Sequence, residues 1–201
     1  MQLYSSPASP FVRKCRAAIL ELGLSAEVEV VDVAASPMGG DARIAAANPT
    51  GKIPVLVRED GPALYDSRVI TRFLNDHASG TLYPEGRLWD VLTLEANADA
   101  VMEAAVGMTY EQRFRAEKGL VWDDWLDGQW AKVARSLDAL EARGMGLLEG
   151  PTNMGALAMA CALGYLDLRH AARGWRDGRP ALSAWEARAR ERRCLAETVP
   201  G

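Results

Sequence analysis

The sequence has little of the chemistry that marks a disulfide-stabilised or metal-dependent protein. It contains three cysteines, Cys15, Cys161 and Cys194, and two histidines, His77 and His170. An odd number of cysteines with no CxxC pair does not make a disulfide framework, which favours a reducing, cytoplasmic location. The two histidines are too few and too far apart to suggest a metal site.

The sequence also lacks long apolar runs and a large excess of charges of one sign. The chain has 23 basic against 27 acidic residues, a formal net charge of −4, so it does not present the basic surface typical of nucleic-acid binding. No run of about 18 apolar residues is present, which argues against a membrane span. The first residues lack the basic and apolar regions of a signal peptide. We therefore expect a cytoplasmic protein that binds neither nucleic acid nor membrane.

Arginine is concentrated toward the end of the chain. The residues concerned are Arg169, Arg173, Arg176, Arg179, Arg188, Arg190, Arg192 and Arg193. One interpretation is a solvated helix face whose cations pair with carboxylates such as Asp167 and Glu186. The other is a surface for an anionic partner.

The beginning of the chain alternates strand and helix signals. Leu3-Tyr4 predicts the start of a first strand. Ser9 followed by Pro10 predicts the N-cap and first position of a helix, and Gly23 ends it. Alternating residues over 27–33 predict a second strand. A strand–helix–strand unit implies a parallel pair of strands.

A second group of signals follows. Residues 41–47 are rich in alanine and predict a short helix. Residues 53–57 predict a buried strand, which a hairpin turn joins to a further strand over 63–65. Asp66 and Ser67 are predicted to cap the next helix. The order of elements is therefore βαβ followed by ββα, which indicates an α/β domain.

A linker over residues 78–86 separates this domain, residues 1–77, from a part that carries helix signals only. Apolar residues recur at helical spacing within residues 87–201, and Thr152 is predicted to cap a very apolar helix. The predicted fold class is an α/β domain followed by an all-α helical bundle domain.

Two serines and one proline mark candidate binding chemistry. Ser9 and Ser67 each stand at the start of a predicted helix, where free N–H groups and a partial positive charge attract anions. A serine there is also an ordinary cap. A cis Ile53-Pro54 bond would turn the Ile53 backbone outward to pair with an extended peptide, and an edge proline without function is the alternative.

Taken together, three segments resemble the glutathione transferase superfamily. They are Ser9-Pro-Phe-Val-Arg-Lys14, Asn48-Pro-Thr-Gly-Lys-Ile-Pro-Val-Leu56 and Tyr65-Asp-Ser-Arg-Val-Ile70, in the order and spacing of that family. The Ser-Pro-Phe start is similar to that of small bacterial members and of the plant tau class. The resemblance implies a thioredoxin-like N-terminal domain, a helical C-terminal domain, and glutathione as co-substrate without a metal.

The resemblance also implies how the sulfur of glutathione is held. Ser9 donates a hydrogen bond to the sulfur and favours its thiolate form, with Ser5 and Ser6 as rival donors. Phe11 belongs to the same binding segment. A serine in place of a cysteine argues against a thiol–disulfide mechanism, and Cys15 is interpreted as a small core residue.

The other implied glutathione contacts fall on two later segments. Lys52 lies near the glycyl carboxylate, or is a solvated loop residue. Ile53, before a cis Pro54, pairs with the cysteinyl backbone. Ser67 binds the γ-glutamyl carboxylate. Asp66 faces the γ-glutamyl ammonium, although it is shorter than the Glu or Gln that the family usually carries there.

A second pocket, for the electrophile, is expected on the first helix of the helical domain. The candidate wall residues are Met102, Glu103, Val106, Met108, Tyr110 and Arg113. Methionine and aromatic residues adapt to varied apolar ligands, and packing in a core or an interface is the alternative.

The expected function is conjugation of glutathione to a small hydrophobic electrophile, as in detoxification. The alternatives are a non-catalytic protein-binding or regulatory module, or a glutathione-dependent peroxidase, isomerase or dehalogenase. The resemblance also implies a homodimer, with Tyr65, residues 68–72 and the helix over 88–110 as interface candidates.

Overall fold

The structure is a computed structural model that describes residues 1–200. It divides into two compact units: the first contains Met1–Arg87 and the segment from Arg192 onward, and the second contains Leu88–Glu191. From the sequence, all of 87–201 was expected in the helical domain. The structure instead groups the last segment with the first unit, because a short final helix packs against the first helix of the chain.

The first unit is built around a three-stranded sheet. Its elements are β1 (Gln2–Ser5), α1 (Pro10–Glu21), β2 (Glu29–Asp32), α2 (Ala42–Ala47), β3 (Val55–Val57), α3 (Ser67–His77), a 3₁₀ turn (Glu85–Arg87) and α9 (Arg193–Ala196). The strand order is β2-β1-β3, with β1 parallel to β2 and antiparallel to β3. The predicted α/β fold class of this part is therefore confirmed.

The strand predicted over residues 63–65 is reduced to a single bridge between Leu56 and Leu64. Their backbones exchange two hydrogen bonds, of 3.0 and 2.9 Å. The next bonded positions of this antiparallel ladder would involve Pro62 on one side and Pro54 on the other. Proline has no N–H to donate, so the ladder ends in both directions and the second strand of the predicted hairpin does not form.

The core of the first unit lies between the sheet and helices α1 and α3. Helix α1 begins after the N-cap Ser9 and is followed by Gly23, which adopts a φ of +73° that a residue without a side chain tolerates. The buried apolar residues are Leu3, Val12, Cys15, Ile19, Leu24, Val28, Leu56, Ile70 and Leu74. Cys15 has no exposed surface, which confirms it as a core residue.

Every regular element of the second unit is a helix. The elements are α4 (Leu88–Arg115), a 3₁₀ turn (Ala116–Lys118), α5 (Asp123–Arg143), α6 (Met145–Leu148), α7 (Met154–His170), a 3₁₀ turn (Ala171–Arg173) and α8 (Pro180–Ala189). Helix α7 is buried along most of its length and packs mainly against α4. The predicted helical bundle is confirmed.

Helix α7 is capped by Asn153, and the prediction of Thr152 as its cap is wrong. The Asn153 side chain accepts a hydrogen bond from the Ala156 N–H at 3.0 Å and donates one to the Leu147 carbonyl at 3.2 Å. An asparagine amide serves both bonds at once, which a threonine hydroxyl, with its single hydrogen and shorter reach, does less readily. The cap is therefore tied to the preceding helix as well as to its own.

Most of the C-terminal arginines pair with carboxylates. The pairs are Arg173–Asp127, Arg176–Asp167, Arg176–Glu186, Arg179–Asp138, Arg188–Glu149, Arg190–Glu186, Arg192–Glu21 and Arg193–Glu197. Arg176 connects Asp167 at 2.6 Å with the buried Glu186 at 2.9 Å. These pairs favour the interpretation as a helix face with internal partners.

A buried polar cluster surrounds His170 at the end of α7. The His170 Nε2 lies 2.8 Å from the Ala105 carbonyl oxygen, so Nε2 carries the hydrogen and donates it. The Thr109 hydroxyl donates to the same carbonyl at 2.9 Å and accepts from the Tyr165 hydroxyl at 3.1 Å. Burial lowers the pKa of His170, which favours the neutral ring.

Within residues 1–200, no helix has the length and apolar character needed to cross a membrane. No group of three or more His, Cys, Asp or Glu side chains in the same residues is placed to hold a metal ion. The cytoplasmic location stays a prediction.

Candidate functional site

Ser9 stands at the N-terminus of α1 with its hydroxyl hydrogen unused. Its Oγ accepts a long hydrogen bond of 3.3 Å from the Val12 N–H, and its carbonyl accepts from the Arg13 N–H at 3.0 Å. Within residues 1–200 the Ser9 hydroxyl donates no hydrogen bond. A hydroxyl donates once and accepts twice, so Ser9 caps the helix and still has its hydrogen to give to a ligand.

The loop before α1 distinguishes Ser9 from its rivals. Ser5 has no exposed surface, so its hydroxyl does not meet a ligand at the surface of this loop. Ser6 is half-buried, and its carbonyl accepts from the Ser9 N–H at 3.0 Å. Because Pro10 has no N–H, Phe11 supplies the first free backbone donor of α1, beside Ser9.

The loop that carries Lys52 and Ile53 is organised by Asn48, which is almost fully buried. The Asn48 amide donates to the Lys52 carbonyl at 2.8 Å, and its Oδ1 accepts from the Thr50 N–H at 3.0 Å and from the Thr50 hydroxyl at 2.9 Å. In the sequence, Asn48 stands out only as the first residue of the second segment that resembles the glutathione transferases. The spacing of Asn and Thr two residues apart is the signal of an Asx turn that would have identified this role.

The Ile53–Pro54 peptide bond is cis, as the sequence analysis expected. Within residues 1–200 the Ile53 backbone N–H and C=O take part in no hydrogen bond. Since Val55 pairs with Tyr4 in the antiparallel register, the chain before Val55 runs beside the loop that leads to Ser9. An unpaired backbone at this place can accept an extended peptide as an added strand.

Helix α3 begins with two polar residues that the structure gives separate roles. Asp66 is the N-cap: its Oδ1 accepts from the Arg68 N–H at 3.0 Å and its Oδ2 from the Arg68 guanidinium at 3.1 Å. Burial raises the pKa of Asp66, but these hydrogen bonds and the charges of Arg68 and Lys14 outweigh it, and its pKa lies below the usual value. Asp66 is therefore ionised near neutral pH.

Ser67 is released from capping because Asp66 holds that place. It is the first residue of α3 and only 3% exposed, and its carbonyl accepts from the Thr71 hydroxyl at 3.0 Å. Its own N–H and hydroxyl have no partner among residues 1–200. Two free donors at a helix N-terminus form an arrangement suited to a carboxylate.

These three segments belong to one unit and lie close together in it. The thiol of Cys15 on α1 contacts the Ser67 carbonyl on α3 at 3.9 Å, which places the two helices side by side. Ile53 packs against the core that both helices share. The predicted residues Ser9, Phe11, Ile53, Pro54, Asp66 and Ser67 therefore lie on neighbouring elements of the first unit, and the side chain of Lys52 is exposed at its loop.

The predicted residues of the second pocket all lie on α4. Met102 and Met108 have no exposed surface, as core residues would. Val106 is half-buried, whereas Tyr110 and Arg113 are exposed, and both contact the Phe114 ring, at centroid distances of 5.6 and 5.5 Å. A substrate pocket at these residues stays a prediction.

Comparison with known proteins identifies the family of both units of the chain. Residues 3–82 match the model of the glutathione S-transferase N-terminal domain, and residues 123–188 match that of the C-terminal domain. An uncharacterized GST-like protein of Escherichia coli (strain K12), YibF, is 36% identical and covers 100% of this chain and 98% of its own length.

Solved structures extend the comparison to the fold. A glutathione transferase family member from Pseudomonas fluorescens Pf-5, with bound glutathione, has a TM-score of 0.95 and 40% identity, covering 100% of this chain and 98% of that chain. A glutathione S-transferase from Methylobacillus flagellatus KT, with glutathione bound, has a TM-score of 0.87 and 32% identity, covering 100% of this chain and 99% of that one. Two matching domains and full-length similarity at this level lead to one conclusion: the chain belongs to the glutathione transferase family.

Proposed function

We propose that the protein is a glutathione S-transferase, which binds glutathione, stabilises its thiolate and conjugates it to a small hydrophobic electrophile. The observation that carries the proposal is the Ser9 hydroxyl, which caps α1 and keeps its hydrogen free. Bound glutathione in the similar structures from Pseudomonas fluorescens and Methylobacillus flagellatus supports the choice of thiol.

The proposed chemistry needs only a thiolate and an electrophilic carbon. On binding, the glutathione thiol loses its proton to solvent, and the Ser9 hydroxyl donates a hydrogen bond to the remaining sulfur anion. The partial positive charge of the α1 N-terminus acts in the same direction. The sulfur lone pair then forms the new S–C bond, and the leaving group departs with the electron pair of the bond it breaks.

The rest of glutathione is proposed to bind along the same unit. The free Ile53 backbone pairs with the cysteinyl part, and the two free donors of Ser67 bind the γ-glutamyl carboxylate. Asp66 is ionised and exposed on one side, so it faces the γ-glutamyl ammonium while Arg68 holds its other side. Lys52 is proposed to bind the glycyl carboxylate. Phe11 is proposed to supply its backbone N–H beside the sulfur.

Calorimetric titration of glutathione into the protein tests this site, with Ser67→Ala as the variant. We expect saturable binding by the wild type and a Kd about 10- to 100-fold higher for Ser67→Ala, because a hydrogen bond to a charged group contributes about 1.5–3 kcal/mol. Ser25→Ala, a change at an exposed serine of the same unit, is the matched control and should bind as the wild type does.

Two results would count against the proposed site. Equal affinity of Ser67→Ala and the wild type would remove the γ-glutamyl assignment. A folded wild type that releases no heat and does not retain glutathione would favour a non-catalytic binding module instead.

We also propose a homodimer, which rests on the family and on exposed apolar side chains. Trp89 at the start of α4 is 78% exposed and Val69 on α3 is 47% exposed, and large exposed apolar residues of this kind are common at interfaces. Sedimentation should show a species of about twice the 21.8 kDa of the chain. A species with the mass of a single chain at micromolar concentration would exclude a stable dimer.

A further inference from the structure

Arg13 is a buried cation whose hydrogen-bonding capacity is mostly unused. Its side chain sits in the first unit at 6% exposure, and its Nη2 donates to the Leu195 carbonyl at 3.1 Å. The Nε and Nη1 atoms have no hydrogen-bond partner within residues 1–200. A buried charge is costly unless something compensates it. This guanidinium therefore has the capacity for an anion that residues 1–200 do not supply.

The position of Arg13 in α1 relates it to Ser9. Arg13 follows Ser9 by four residues, and its N–H donates to the Ser9 carbonyl at 3.0 Å. Residues four apart on a helix lie on the same face, with about 6 Å between their β-carbons. Helical side chains also lean toward the N-terminus of their helix. Arg13 is therefore one helical turn from Ser9, with its guanidinium against the Leu195 carbonyl of α9.

We propose that Arg13 is a positioning residue whose charge favours the thiolate over the thiol form of glutathione bound at Ser9. This inference rests on the proposed function and adds a second source of thiolate stabilisation to the Ser9 hydroxyl. Arg13 acts through its field and not by contact with the sulfur. A unit charge at roughly 10 Å, with an effective dielectric constant of about 20, changes a pKa by about one unit.

The other charged groups near α1 are already engaged or screened. On α1 and the helices packed against it, the groups are Lys14, Arg16, Glu21 paired with Arg192, Asp66 paired with Arg68, Arg72 paired with Asp76, His77 paired with Glu27, and Glu197 paired with Arg193. The charge of Lys14 acts on Asp66. Arg16 is half-exposed, so solvent weakens its field. Arg13 and Lys14 are the buried cations of α1, and Arg13 is the one for which two nitrogen atoms have no hydrogen-bond partner within residues 1–200.

Two substitutions separate charge from structure. Arg13→Gln keeps an N–H donor for the Leu195 carbonyl but removes the charge, whereas Arg13→Lys keeps both. The measurement is a pH titration of protein saturated with glutathione, followed by the ultraviolet absorbance of the thiolate. We expect Arg13→Gln to raise the pKa of the bound thiol by about one unit, a roughly tenfold loss of the thiolate-to-thiol ratio below that pKa. Arg13→Lys should stay close to the wild type.

Binding of S-methylglutathione supplies a readout without an ionisable thiol. Both Arg13 variants and the control Arg16→Gln should bind it with the wild-type affinity, and Arg16→Gln should leave the thiol pKa unchanged. Arg13→Met replaces Arg13→Gln as the uncharged variant if the latter is not folded by circular dichroism.

The inference is overturned if uncharged and charged Arg13 variants give the same thiol pKa. It is also overturned if both lose S-methylglutathione binding to the same extent, because Arg13 would then be a structural residue only. A wild type that binds S-methylglutathione but shows an unshifted thiol pKa contradicts the inference and leaves the site intact. A wild type that binds neither ligand contradicts the proposed function as well.

Discussion

Substitution of Ser9 by alanine is expected to lower kcat by about 10- to 100-fold while the Kd for glutathione changes less than about threefold. One charge-assisted hydrogen bond to the thiolate accounts for about 1.5–3 kcal/mol, and it is made only to the sulfur. The substitution does not touch the other proposed glutathione contacts, which are those of Phe11, Lys52, Ile53, Asp66 and Ser67. The measurement is steady-state conjugation with a dinitrophenyl halide, beside calorimetric titration of glutathione.

Ser9→Ala also removes a helix cap, so its effect on turnover must be distinguished from an effect on folding. The lost Val12 N–H bond, at 3.3 Å, costs about 1 kcal/mol of stability, which leaves a domain of ordinary stability folded. Ser9→Thr keeps the hydroxyl and should retain most of the activity. Ser6→Ala is the matched control in the same loop. Full turnover by Ser9→Ala, or a greater loss of turnover with Ser6→Ala, would show that a group other than Ser9 contacts the sulfur.

The local structure around Ser9 and Ile53 could be predicted because it depends on neighbouring residues in the chain. Pro10 after Ser9 sets the start of α1, where the Phe11 N–H is free. The backbone of Ile53, which precedes Pro54, forms no hydrogen bond within residues 1–200. Each of these features depends on residues next to one another in the chain. Local rules of capping and proline geometry are therefore sufficient to locate them.

Features that depend on contacts between distant segments could not be predicted in this way. The strand over 63–65 has a suitable local pattern, but the prolines at 54 and 62 stop its ladder with the preceding strand. Helix α9 joins the first unit through the bond from Arg13 to Leu195, two residues separated by nearly the whole chain. Neither feature depends on the periodic spacing of apolar residues, which is the signal that predicts helices and strands from a sequence.

The role of Ser67 could be predicted only in part from the local sequence. Asp66-Ser67 was expected to cap α3 jointly, and local chemistry allows either residue to do so. The structure gives the cap to Asp66 because its carboxylate is held at both oxygens by Arg68. Only that result leaves the Ser67 donors free, so the proposed γ-glutamyl contact follows from the structure and not from the motif alone.

Gly155→Ala is expected to destabilise the second unit by about 2 kcal/mol, although alanine is the better helix former. Gly155 is in the first turn of α7, where a β-carbon would lie 2.8 Å from the Leu94 Cβ and 2.9 Å from the Val91 carbonyl oxygen of α4. Neither atom is the flexible end of a side chain, so the two helices must separate. Overpacking of this kind costs about 1–3 kcal/mol or more, which exceeds the gain of about 1 kcal/mol in helix propensity.

The same substitution in α5 supplies the control with the opposite sign. A β-carbon added to Gly128 meets no atom within 4 Å. Gly128→Ala should therefore increase stability only through the higher helix propensity of alanine, by up to about 1 kcal/mol. In thermal unfolding, Gly155→Ala should lower Tm by about 4–8 °C and Gly128→Ala should raise it by about 1–4 °C. A rise of Tm in both variants would mean that α4 and α7 approach less closely at Gly155 than 2.8 Å implies.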